Sequence, residues 1–197
     1  MLYIILKRMD NLLKYIRSLT AFSDESWEIL QSALTKQVFK KGEYLLSEGQ
    51  VCNTLFYIDE GYCKSCYLID GTFKNTDFFF EDEIVTNINS FGKGEKSTFN
   101  IISCEPLTAI LFDKQKLITA SQQSNEIEVL RRKGLQLSAT KQEKKSMILQ
   151  LFSTQERLEY YEKECPELLQ RVPLSQLASF LGVTRETLSR IRKRRAP

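Results

Sequence analysis

The chain has 197 residues, 42% hydrophobic and 27% charged, an ordinary globular composition that leaves room for two small domains and excludes disorder or a fibrous coiled coil. Its longest apolar runs, such as Ile4-Ile5-Leu6 and Phe78-Phe79-Phe80, are far short of the roughly 20 residues a bilayer span needs, so no membrane contact is expected. The net charge of +3 hides a basic C-terminal block, and the absence of histidine removes His-based acid–base catalysis, Ser-His and Cys-His nucleophile pairs and most zinc chemistry.

Residues 1 to 8 fit neither helical pattern that follows, and Met9 is an alternative start to Met1. Lys7, Arg8 and Asp10 interrupt the N-terminal apolar stretch and no small-residue cleavage site follows, so a cytoplasmic protein is expected. Residues 9 to 35 are expected to be helical. Leu12, Leu13, Ile16 and Leu19 recur at helical spacing, and Ser23-Asp24-Glu25-Ser26 starts a second helix through Trp27, Ile29, Leu30 and Leu34.

From Val38 the pattern changes to short β-rich runs punctuated by glycines at 42, 49, 61 and 71. These runs are Tyr44-Leu45-Leu46, residues 54–58, residues 62–69 and residues 72–80, with Asp70-Gly71 as a two-residue hairpin turn. Two more, 98–103 and 107–112, flank Glu105-Pro106. Many short strands with turns at this spacing predict a β-roll or jelly roll. The five cysteines, Cys52, Cys63, Cys66, Cys104 and Cys165, are too scattered for a disulfide framework. Cys63 and Cys66 lie three apart in a strand-like run and so point to opposite faces, which disfavours a shared metal. No P-loop or dinucleotide glycine pattern is present. Neither a metal, a cofactor nor an enzymatic activity is expected.

Residues 113 to 122 predict a short helix, and Asn125 to Phe152, free of proline, a long one. Alternate steps of three and four along it visit Ile127, Leu130, Gly134, Leu137, Lys141, Lys144, Ile148 and Leu151, a stripe apolar at both ends. A helix this long in a small protein usually needs a partner. A homodimer seam through Ile127, Leu130, Leu137, Ile148 and Leu151 is therefore expected. Ser153-Thr154-Gln155-Glu156 is a capping box that ends this helix and starts the next.

The C-terminal segment carries the function. Leu174, Leu177 and Leu181 form one stripe, Ala178 is small where a second helix must cross, and Gly182 permits a left-handed turn. Thr184 is an N-cap, and Leu188 and Ile191 face inward. This is the grammar of a helix-turn-helix. From Thr184 onward six basic residues stand against one acid, while the rest of the chain has 22 basic and 24 acidic residues. A local basic block on a mildly acidic body suits a polyanion. Arg185, Glu186, Ser189 and Arg190 are the candidate base contacts, since Arg reads guanine bidentately and Glu accepts from cytosine. Thr184, Thr187, Arg192, Lys193, Arg194 and Arg195 are the candidate phosphate contacts.

With Thr184-Arg185-Glu186-Thr187-Leu188-Ser189-Arg190, and with β-roll, long helix and helix-turn-helix in this order, the chain resembles the Crp/Fnr superfamily of bacterial transcription regulators over almost its full length. The run from Lys41 to Gly49 resembles that family's first roll strands, and Pro166 to Pro173 resembles its Bacteroidetes-type branch. The resemblance implies an α+β protein with a cyclic-nucleotide-binding-like β-roll over 1–122, a dimerisation helix over 123–152 and a helix-turn-helix domain over 153–197. It implies a homodimeric regulator on double-stranded DNA, with base contacts at the positions of Arg185, Glu186 and Arg190 and RNA polymerase as a further partner.

There are departures from the pattern. Family members that bind cyclic nucleotides carry Gly-Glu-Leu followed by Arg-Ser/Thr-Ala. Residues 79–84 correspond to the first motif without its glycine, and Lys96-Ser97-Thr98 is the nearest approach to the second. Glu83, Lys96, Ser97 and Thr98 thus form the candidate ligand pocket. The neighbouring carboxylates of Glu81, Asp82 and Glu83 oppose an anion, so cyclic AMP is not expected to bind in the family manner and the effector is left open. Lack of histidine argues against haem sensing, and lack of a cysteine before Cys52 against an N-terminal iron–sulfur cluster. The sequence stops soon after the recognition helix, so a winged-helix-like domain reduced to its helical core is expected. The alternative reading is a small-molecule or protein-docking module whose helix-turn-helix is purely structural.

Overall fold

The computed structural model describes residues 9–195, and side chains up to Arg194. The choice between Met1 and Met9 as the start, and the phosphate contact expected of the Arg195 side chain, lie outside the described residues. Helix α1 (Asp10–Leu19) buries Leu12 and Ile16. Helix α2 (Asp24–Gln31) starts where Ser23 predicts, its hydroxyl accepting from Ser26 N at 3.2 Å. The helical reading to residue 35 overshoots. The chain leaves the helix after Gln31, and Leu34–Phe39 is strand β1, antiparallel to β8 (Leu107–Asp113) with Leu34 opposite Phe112. Leu34 is in helical phase with Leu30, but its place is decided by the distant partner strand, which no local spacing contains.

The roll continues through β2 (Tyr44–Leu46), β3 (Thr54–Glu60), β4 (Cys63–Ile69), β5 (Thr72–Phe79), β6 (Ile84–Val85) and β7 (Asn100–Ser103). Two antiparallel four-stranded sheets result, in the orders β1-β8-β3-β6 and β2-β7-β4-β5. Asp70 and Gly71 both take positive φ (49° and 72°) at the tip of the β4–β5 hairpin, as a type I′ turn requires. Strand β6 and the six-residue helix α3 (Ile88–Lys93) are absent from the sequence reading, since neither is long enough to show a period. Between the sheets lie Phe39, Leu46, Phe56, Ile58, Cys63, Val85, Ile101, Leu107 and Ala109. Cys63 and Cys66 are buried free thiols, and no cluster of metal-ligating side chains occurs among the described residues.

Helix α4 (Lys114–Gln123) leads into the 27-residue α5 (Asn125–Leu151). Leu117, Ala120 and Ile127 pack with Leu12, Ile16, Trp27 and Leu30 on the outer face of the first sheet, against Tyr57, Ile110 and Phe112. The expected dimer stripe therefore divides. Ile127 (0% exposed) and Ile148 (2%) are buried within the chain and Leu130 is partly buried, whereas Leu137 and Leu151 stay exposed. Lys141, within the same stripe, pairs with Glu83 at 2.6 Å and lies over the Phe79 ring. Part of this face of α5 is thus taken up within its own chain, by the N-terminal helices, α4 and the edge of the roll at Glu83. No helix among the described residues is long and apolar enough to cross a membrane.

Helix α6 (Thr154–Glu164) opens with the predicted capping box of Ser153 and Glu156. Helices α7 (Pro166–Arg171), α8 (Leu174–Leu181) and α9 (Arg185–Arg195) follow. Their apolar faces close over one cluster, Leu158, Leu168, Val172, Leu177, Ala178, Leu181 and Leu188, which is continuous with Tyr62, Phe78 and Phe80 of the roll.

Candidate nucleic-acid interface

Helices α8 and α9 are joined by Gly182, whose φ of +74° places it in the left-handed region, and Val183 N returns to Ala178 O at 3.0 Å. A helix end of this kind reverses the chain within three residues. Thr184 then caps α9, its hydroxyl accepting from Thr187 N at 3.2 Å. Leu177, Ala178, Leu181 and Leu188 are all at most 2% exposed, so the two helices cross at side chains that leave no freedom to slide. Replacing Leu188 by alanine should cost about 2–5 kcal/mol of stability, seen as a lower urea midpoint, because the emptied volume lies at this crossing. An unchanged midpoint would mean that the two helices do not share a core.

With Leu188 inward and Ile191 partly buried, Arg185, Glu186, Arg190, Arg192, Lys193 and Arg194 face solvent. Arg185, Glu186, Ser189 and Arg190, together with Lys193 and Arg194, line one shallow concavity of about 570 Å³ along the helix. The four candidate base readers thus share one surface. Of the candidate phosphate contacts, Lys193 and Arg194 border it and Arg192 is exposed, while the Thr184 and Thr187 hydroxyls bond each other at 3.1 Å.

The candidate ligand pocket is not assembled from its four expected residues. Glu83 accepts from Phe80 N at 2.9 Å and pairs with Lys141, at the roll's contact with α5. Ser97 is 2% exposed, Lys96 sits in a bridge with Val51, and Thr98 is exposed. The side chain facing Ser97 is Asn87. Its amide nitrogen donates to the Ser97 hydroxyl at 3.0 Å and its oxygen caps α3 at Ser90 N (3.1 Å). Asn87 and Ser97 are both buried and bonded to each other, a pairing the sequence does not mark because ten residues separate them.

The thiols do not suggest an alternative chemistry. Burial pushes Cys104 up to about 12 and holds Cys63, Cys66 and Cys165 above the ordinary thiol value, away from reactive thiolate.

Residues 36–124 match the cyclic nucleotide-binding domain family. Solved structures extend the likeness over both parts of the chain. A c-di-GMP-responsive global regulator, CLP of Xanthomonas campestris, matches at TM-score 0.66 and 18% identity, covering 87% of this chain and 91% of its own. A cyclic nucleotide-binding domain containing protein of Listeria monocytogenes matches at 0.66 and 16%, covering 95% and 89%. FixK2 of Bradyrhizobium japonicum matches at 0.66 and 16%, covering 82% and 83%. Residues 36–124 are thus similar to a cyclic nucleotide-binding domain, and the chain shares the fold of these solved structures. No curated protein sequence matches it significantly. The concavity lies on the second of two short helices joined by the tight turn at Gly182.

Proposed function

We propose that this chain is a sequence-specific DNA-binding transcription regulator that acts as a homodimer in the cytoplasm. The observation that carries the reading is the shared outer face of α9, where Arg185, Glu186, Ser189 and Arg190 sit side by side with Lys193 and Arg194. Arginine and glutamate address base edges, and the remaining cations address phosphates without regard to sequence. A purely structural helix-turn-helix has no use for this outward set.

Dimerisation runs along α5, on a face next to the one held by the roll. Leu135, Gln142 and Leu149 recur every seven residues, and the two leucines are 50% and 44% exposed. This line replaces Ile127 and Ile148 as the seam that meets a second copy. Two recognition helices then address half-sites about one helical turn, roughly 34–36 Å, apart, and RNA polymerase is the downstream partner. Selection from a random duplex pool with the purified protein is expected to enrich a pseudo-palindrome of that spacing. A folded protein that enriches nothing, even with cell extract added to supply an effector, would defeat the reading.

The roll does not hold cyclic AMP in the family manner. Glu83 is engaged by Phe80 N and Lys141, and the Ser97 hydroxyl already bonds Asn87 and the Phe99 carbonyl (2.7 Å). Calorimetric titration with cyclic AMP should give no saturable heat, with any Kd weaker than about 1 mM. A micromolar Kd would overturn this assignment.

A further inference from the structure

Arg171 ends α7, three residues before the start of α8, and takes no part in the outer face of α9. Its guanidinium enters a receptor built from three turns at one end of the roll. The β3–β4 turn passes through Gly61, whose φ is +86° and whose missing Cβ would lie 2.5 Å from the Pro106 carbonyl oxygen, so the β3–β4 and β7–β8 turns touch through backbone. Gly61 N donates to Glu81 Oε1 at 2.8 Å, which brings in the β5–β6 link. Glu81 and Glu105 thereby come to flank the stacked rings of Tyr62 and Phe80, 5.3 Å apart and 21° from parallel.

Arg171 fills this receptor. Nη1 donates to Glu81 Oε2 at 2.6 Å, and Nη2 donates to Glu81 Oε1 at 2.9 Å and to Glu105 Oε1 at 2.5 Å. The guanidinium carbon lies 5.1 Å from the Tyr62 ring centre and 5.4 Å from that of Phe80. The Tyr62 hydroxyl donates to the Arg171 carbonyl oxygen at 3.2 Å, so backbone and side chain are both held. Burial raises the Glu81 carboxyl, and the Arg171 fork with two backbone N–H groups outweighs it, leaving the carboxyl below its ordinary value.

The other contact between the helix-turn-helix and the roll is less directional. There α8 meets β5, Ser179 Oγ accepts from Asn75 N at 3.1 Å, and Asn75 Nδ2 donates to the Gln176 carbonyl at 3.2 Å. The side-chain oxygens of Asn75 and Gln176 are buried there without partners. These bonds, and the edge-on ring pair of Phe78 and Phe180 at 5.7 Å, hold the two bodies together through neutral groups. A planar guanidinium forked onto two carboxylates adds the most directional contact between them.

We propose that Arg171 is a positioning residue that sets the angle of the recognition helix relative to the roll, and with it the half-site spacing that the dimer accepts. The proposal rests on the DNA-reading function above. One base pair more or less between half-sites displaces them by about 3.4 Å and turns them by about 35°, so spacing is read only if each recognition helix is held at a fixed angle. Arg171→Met keeps an apolar stem against Tyr62 and Phe80 and removes the fork, while Arg171→Lys keeps the charge without the fork.

The test uses the full-length protein on the selected pseudo-palindrome and on versions with one base pair inserted or removed at its centre. Hydrogen exchange of the α8 and β5 amides is measured on the same proteins without DNA. The unaltered protein should disfavour both altered spacings by about tenfold or more. Arg171→Met should bring all three spacings within about threefold of one another while keeping the same half-site bases, and should raise exchange in α8 and β5 about tenfold. Arg171→Lys should restore only part of both effects. A folded Arg171→Met protein with unchanged spacing preference and unchanged exchange overturns the proposal. Should that variant fail to fold, Glu105→Gln, which leaves the Glu81 fork, carries the same comparison with smaller effects. If the unaltered protein binds no duplex, the DNA-reading function fails, and the exchange arm still decides whether Arg171 holds the two bodies.

Discussion

Replacing Arg185 and Arg190 together by alanine is expected to abolish enrichment of a specific duplex while leaving the protein folded and dimeric. Both side chains are exposed and line the outer face of α9, so their removal empties no core. A bidentate arginine–guanine pair is worth roughly 1–3 kcal/mol of discrimination, so two per recognition helix and two helices per dimer put roughly 4–12 kcal/mol at stake. Even the lower figure reduces preference for the selected sequence by about a thousandfold. Arg192, Lys193 and Arg194 remain, so weak, salt-sensitive binding to any duplex should survive. Fluorescence anisotropy with the selected and a scrambled duplex, at two salt concentrations, separates the two contributions. Equal loss on both duplexes would show that these arginines contact phosphate alone, and the base readers would have to be sought elsewhere.

Glutamate at both Leu135 and Leu149 is expected to convert the dimer to a monomer and to remove high-affinity binding to the pseudo-palindrome. Burying a leucine contributes roughly 1.5–3 kcal/mol, so four leucines in a two-fold seam contribute roughly 6–12 kcal/mol before the desolvation of four new carboxylates is added. Both positions are about half exposed in the single chain, so the substitutions leave each protomer's own core intact. Sedimentation of the variant and of an Ile127→Glu control distinguishes the two faces of α5. The control should unfold the N-terminal helices rather than yield a folded monomer, because Ile127 packs with Leu12, Trp27 and Leu30. A Leu135→Glu, Leu149→Glu protein that stays dimeric would move the seam to another surface.

Much of this molecule is legible in the sequence, wherever the signal is local. Strand β2 falls on residues 44–46 as read, α5 ends within one residue of its expected end, and the Ser153–Glu156 capping box forms. The turn at Gly182 and the cap at Thr184 follow from backbone geometry that few residues tolerate, and with them comes the outward placement of Arg185, Glu186 and Arg190. Each depends on neighbours within about seven positions, where chain connectivity does the ordering.

Only the tertiary structure decided the rest. Leu34 leaves its helical phase because β8, more than 70 residues on, supplies a strand partner. Ile127 and Ile148 belong to the stripe that periodicity selects, but periodicity names a buried face and does not say whether the roll of the same chain or a second copy buries it. Asn87 meets Ser97, and Arg171 meets Glu81 and Glu105, across 10, 90 and 66 residues of chain. Hydrogen-bonding partners that far apart leave no spacing to read, because their meeting is set by how the turns of the roll converge. The local pattern determined the two C-terminal helices and the turn between them. How that pair sits on the roll was set by contacts that only the folded chain brings together.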